Sequence, residues 1–143
     1  MTFMNEEQKD GAAPLVQVHP DSGLTPRQAE ELHRMLMERR RALTGDVVEH
    51  LDIGRFGGER VAEAEEAAAM DAAQSTMIEL AEAERTLLAL IERALRKFDN
   101  GSYGVSEESG EPIGFDRLRA IPWATLTVRD QEIHEREQRA RGR

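Results

Sequence analysis

A chain of 143 residues with 39% hydrophobic and only 4% aromatic content has room for one modest aliphatic core, or for an extended helical element joined to a small domain. Its net charge of -9 argues against duplex DNA or an anionic membrane as the main partner, since both demand a basic surface, and suits a basic protein partner better. No apolar run approaches the roughly 20 residues that span a bilayer, the opening MTFMNEEQKD lacks signal-peptide order, and the chain has no cysteine for disulfides or thiolate ligands, so a cytoplasmic protein without covalent staples is expected.

Residues 1–23 are polar and broken by Pro14, Pro20 and Gly23, with the short LVQV run as a possible strand, and read as a mobile tail. Thr25 as N-cap, Pro26 at the first helical position and Leu24 as a staple predict the start of a helix. Ala29, Leu32, Leu36, Leu43, Val47 and Leu51 recur along it at helical steps, interrupted by Arg39, Arg40 and Arg41. The helical pattern holds to about His50. Gly54, Gly57 and Gly58 around Phe56 then favour a bend or loop, because glycine weakens a continuous helix.

Met70, Ala73, Met77, Leu80, Glu84, Leu87, Ile91, Ala94 and Phe98 form a second, longer stripe with one polar position, closed by Asn100 and Gly101. Two such helices with a brief connection predict an antiparallel hairpin over residues 24–100, its tip near 54–70; a parallel zipper dimer would use the same stripes. From Val61 to Glu84 the acids Glu63, Glu65, Glu66, Asp71, Glu79, Glu82 and Glu84 stand without any Lys or Arg. The far end of the hairpin is therefore negative, which serves a basic partner or, more blandly, the N-terminal helix dipole and a solvated face.

Beyond Gly101 the period changes. Gly104, Gly110, Pro112, Gly114 and Pro122 punctuate short apolar pieces, predicting tight turns and short strands in a compact knuckle over residues 101–132. Within it, Ser106 with Ser109 and Thr127 with Asp130 have the spacing of a CxxC…CxxC zinc ribbon from which every cysteine has gone. Hydroxyls are poor zinc ligands at neutral pH, so neither metal nor any other cofactor is expected. Phe115, Trp123, Ile113 and Leu126 are expected to replace the metal by packing, with Ser106 and Ser109 capping turns. From Arg129 onward strong helix formers run without a breaker until Gly142, which predicts a short charged C-terminal helix, residues 133–143 standing apart from the knuckle as helix or tail.

The segments YG-x-S-x-x-SGEPIG and RL-x-A-x-P-x-A-x-L-x-V, behind a long hairpin, resemble the DksA/TraR family of bacterial RNA polymerase-binding proteins, over roughly Leu24 to Glu132. The family usually carries zinc-binding cysteines where this chain has Ser106, Ser109, Thr127 and Asp130. Counted back without gaps from Tyr103, the family's Asp-x-x-Asp-x-Ala tip motif falls on Glu63, Glu66 and Ala68, with Asp71 the candidate if the alignment shifts.

The resemblance implies a non-enzymatic regulator that enters the polymerase secondary channel as a monomer, alters open-complex stability, and does not bind promoter DNA. The family's basic groups for the alarmone ppGpp fall on Leu90, Ile121 and Gln131, none a cation, so ppGpp binding at that site is not expected; Arg93, Arg96, Lys97, Arg117, Arg119 and Arg129 lie near in sequence as possible substitutes or as exposed balancing charges. The competing reading is a dimeric coiled-coil adaptor without polymerase-directed activity. No enzyme signature supports catalysis: His19, His33, His50 and His134 have no metal-ligand spacing, and GRFGG lacks the GK[ST] ending of a phosphate loop.

Overall fold

The computed structural model describes residues 16–56 and 64–142, with 46–56 as backbone only. The fold is mainly α. In chain order it contains a 3-10 turn at Pro20–Ser22, then α1 (Pro26–Phe56), α2 (Ala64–Asn100), α3 (Phe115–Ala120) and α4 (Val128–Arg141). Two compact units divide it: Arg34–Arg93, which is the helical hairpin, and a second made of the described residues up to His33 together with those from Ala94 onward.

Helix α1 begins where the sequence places it, because Thr25 and Gln28 cap it reciprocally. The Gln28 N–H donates to Thr25 Oγ1 at 3.1 Å and the Thr25 N–H donates to Gln28 Oε1 at 3.0 Å. It runs to Phe56, through Gly54 and past the expected end near His50. One interior glycine costs a helix about 1 kcal/mol, too little to end one that is otherwise continuous. Gly57, Gly58 and Glu63 lie outside the described residues.

In the hairpin unit Leu36, Leu43, Ala81 and Ile91 are buried to 3% exposure or less. The buried seam of α2 differs in detail from the predicted stripe. Leu80 is 41% exposed and Ala73 is exposed, whereas Ala81 is fully buried. The least exposed residues follow Met70, Gln74, Met77, Ala81, Glu84, the pair Leu87 and Leu88, and Ile91, in four- and three-residue steps. Apolar residues flank that line on both sides, so hydrophobicity alone could not choose between Leu80 and Ala81.

In the second unit Ala29, Leu32, Leu95, Phe98, Tyr103 and Leu118 form the core. Phe98 stacks on Tyr103 with ring centroids 3.9 Å apart, and the His33 ring stands perpendicular to Phe98 at 5.1 Å. The single tyrosine is 2% exposed, and its hydroxyl donates to the Pro122 carbonyl at 2.7 Å. Helix α2 ends in a glycine C-cap: Gly101 takes φ 73°, and the Ser102 N–H reaches back to the Lys97 carbonyl at 2.9 Å.

The expected mobile tail is corrected for its last eight residues, 16–23, which dock on this unit. Gln17 N–H donates to the Phe98 carbonyl at 3.0 Å, His19 N–H donates to the Tyr103 carbonyl at 2.8 Å, and Val18 bridges Tyr103 in parallel. Gly104, at φ 104°, makes the docking possible. A Cβ there would stand 2.6 Å from the Cβ of buried Ser22.

Short strands were expected between Gly101 and Asp130, and among the described residues only isolated bridges form, one of them Val105 with Pro112. Phe115–Ala120 is instead a helix of less than two turns, too short for its periodicity to show in sequence. Leu118 is its buried anchor. The C-terminal helix starts at Val128, one residue before the helix-forming run that opens at Arg129, because Thr127 caps it.

Candidate functional site

The four positions that read as vacated zinc ligands converge. Ser106 and Ser109 lie on a tight turn closed by Gly110 N–H donating to the Ser106 carbonyl at 2.9 Å. Both hydroxyls donate to one carboxylate oxygen, Asp130 Oδ2, each at 2.6 Å. Ser106 Oγ in turn accepts the Glu108 N–H at 3.2 Å, and Ser109 Oγ accepts the Glu111 N–H at 3.3 Å. Across from them, Thr127 Oγ1 accepts the Asp130 N–H at 3.0 Å and thereby caps α4.

This arrangement has a clear electrostatic consequence. Hydrogen bonds from Ser106, then Ser109, hold the Asp130 carboxyl below its ordinary value, since both favour the charged form. The carboxylate ties the turn at 106–110 to the start of α4, a distance of 24 residues along the chain from Ser106. Lys97 Nζ with Glu107 Oε2 at 2.8 Å and Arg117 Nε donating to the Leu126 carbonyl at 2.9 Å brace the same knuckle.

The donor set does not fit zinc. Two of its four members are neutral hydroxyls already donating, the third is engaged as a helix cap, and one carboxylate remains. A cleft of about 90 Å³ beside it is lined by Glu108, Asp130, Ile133, His134 and Glu137. Among the described residues no group of three or more His, Cys, Asp or Glu side chains is arranged to hold a metal ion.

Of the packing residues named from sequence, Ile113 and Leu126 are buried, while Phe115 and Trp123 are only half-buried. The larger contribution comes from Phe98, Tyr103 and Leu118, which the sequence reading did not assign to this role. Tyr103 could have been singled out as the lone tyrosine directly after the helix-ending Asn100-Gly101 pair.

At the other candidate site, Glu66, Ala68 and Asp71 are exposed near the start of α2, whose first turn carries Glu65 and Glu66. Glu63, the remaining tip residue, lies outside the described residues. At the positions named for ppGpp, Leu90 is 37% exposed, Ile121 is half-buried, and Gln131 donates to Glu135 at 3.1 Å.

No protein-family model matches the chain. General stress protein 16O of Bacillus subtilis is 31% identical over 112 residues, covering 76% of this chain and 69% of that protein. The RNA polymerase-binding transcription factor DksA of Caulobacter vibrioides is 54% identical over 56 residues, 39% of each chain. The solved structure of transcription factor DksA2 from Pseudomonas aeruginosa superposes with a TM-score of 0.73 at 28% identity, covering 93% of this chain and 98% of that one. The chain belongs to the DksA/TraR family.

The aligned stretch spans well under half of the Caulobacter DksA, whereas the structural match to DksA2 is nearly end to end. The structural likeness thus extends over 93% of the chain and the close sequence likeness over 39% of it. At the positions where the family resemblance implies zinc-binding cysteines, Ser106 and Ser109 are tied to Asp130 by hydrogen bonds.

Proposed function

We propose that this chain is a transcription regulator that binds RNA polymerase through the secondary channel and modulates open-complex stability with the acidic end of its hairpin. The observation that carries the reading is a helix whose described residues from Ala64 to Glu84 include Glu65, Glu66, Asp71, Glu79, Glu82 and Glu84 and no basic residue, on a fold matching DksA2 over nearly its full length. Glu63 and Glu66 would meet basic or metal-proximal surfaces, Asp71 adds charge, and the small Ala68 lets another backbone approach. The end of the hairpin acts by contacting one promoter-complex state better than another, so its effect depends on each complex's own lifetime.

The knuckle performs its holding role without metal or other cofactor, which suits service under zinc shortage or thiol oxidation. The protein acts as a cytoplasmic monomer, without catalysis, direct DNA binding or ppGpp at the family's site. No helix among the described residues is long and apolar enough to cross a membrane. The test is co-purification with RNA polymerase and open-complex lifetime in vitro, for the wild type and for Glu63→Ala with Glu66→Ala. Retained binding with lost regulation is expected; unchanged transcription, or a stable dimer without polymerase binding, overturns the reading in favour of an adaptor.

A further inference from the structure

A chain without cysteine still has one class of oxidisable sulfur, and its placement is uneven. The four methionines among the described residues, Met35, Met37, Met70 and Met77, are all half-buried and all lie in the hairpin unit. Two of them occupy the α2 seam. From its N-terminal end that seam reads Met70, Gln74, Met77, Ala81 and Glu84, and only then Leu87, Leu88 and Ile91.

In the first half of the seam, therefore, both large apolar side chains are thioethers; the other positions are an amide, a methyl group and a carboxylate. The second half is aliphatic. Hydrophobic attachment of residues 64–84 thus depends on Met70 and Met77 far more than the remainder of α2 depends on any one residue. Half-burial leaves both side chains partly accessible to a small oxidant.

We propose that Met70 and Met77 are the methionines through which oxidation acts on the fold, and that a peroxide acting on them loosens the N-terminal half of α2 while sparing the knuckle. The thioether sulfur attacks one peroxide oxygen, forming the S–O bond as the O–O bond breaks. The departing hydroxide takes a proton to leave as water; sulfur loses two electrons and the peroxide gains them. The product is a polar sulfoxide in a seam position, and Ile78 and Leu80, the large apolar residues nearest to Met77, are exposed outside the seam. Methionine sulfoxide reductases, which reverse this chemistry, supply the way back. The inference concerns helix stability alone and stands independently of polymerase binding.

The experiment treats the full chain with hydrogen peroxide and maps the added oxygen by peptide mass spectrometry, then follows hydrogen exchange across 64–84, 88–98 and 101–127. Oxygen at Met70 and Met77, with lost protection confined to 64–84 and regained after treatment with both reductase types, is the expected result. Met70→Leu with Met77→Leu, a volume-conserving pair, should keep that protection in peroxide. Lost protection in that variant equal to the wild type's, unchanged protection in oxidised wild type, or loss centred on the knuckle overturns the proposal. The wild-type measurement decides the matter even if the double variant folds poorly.

Discussion

Replacing Tyr103 with phenylalanine tests whether packing and one buried hydrogen bond hold the knuckle together. The ring is 2% exposed and stacked on Phe98, and both remain compatible with phenylalanine, so the substitution isolates the hydroxyl donated to the Pro122 carbonyl at 2.7 Å. Leaving that buried carbonyl without its donor costs about 1–3 kcal/mol. For a domain of this size that corresponds to a fall in Tm of roughly 3–10 °C.

A second signature separates this from generic damage. Burial pushes the Tyr103 phenol above its ordinary value, so the fold disfavours the phenolate. The stability linked to that group is fully present below the unfolded value near 10 and is lost as pH rises beyond it toward the folded value. Because the chain has one tyrosine and the Trp123 indole does not ionise in this range, the near-ultraviolet absorbance change that accompanies phenolate formation reports this residue alone. Phenolate should form together with unfolding, and Tyr103→Phe should remove that alkaline dependence. An unchanged Tm in the variant, or a phenol that ionises near pH 10 while the helical signal persists, would falsify the reasoning.

Gly104→Ala should cost about 1–3 kcal/mol from backbone strain at φ 104°, with a further loss because its Cβ would displace Ser22; Gly110→Ala, also at positive φ but with open space around the Cβ, should cost less in denaturant titrations. The Asp130 carboxyl is held low, so its contribution is present above the unfolded carboxylate value near 4 and is lost as pH falls through the lower folded value. The difference in denaturation midpoint between wild type and Asp130→Asn should accordingly be constant from neutral pH to about 5 and shrink below about 4; a difference independent of pH refutes the role given to the charge. A chelator should leave the wild-type melting temperature unchanged, and placing cysteine at Ser106, Ser109, Thr127 and Asp130 together should create zinc-dependent stability of the order of 10 kcal/mol in apparent binding free energy. Chelator-induced melting of the wild type, or a four-cysteine variant indifferent to zinc, counts against a hydroxyl–carboxylate replacement of the metal site.

The sequence alone determined the features whose causes are local. Thr25 with Pro26 starts α1, Asn100 with Gly101 ends α2, and the uninterrupted acids of 64–84 give that stretch its charge, because capping, left-handed backbone geometry and net charge depend on a few neighbouring residues. The paired spacings at 106–109 and 127–130 were equally legible, although not what would join them. Only tertiary structure decided that Ala81 rather than Leu80 enters the seam, that residues 16–23 dock through the opening at Gly104, and that Tyr103 stacks on Phe98. Those choices rest on competition for space among residues far apart in the chain. The same is true of Asp130: its position was visible as a lost ligand, but two hydroxyls had to be folded against it before it could hold the knuckle closed.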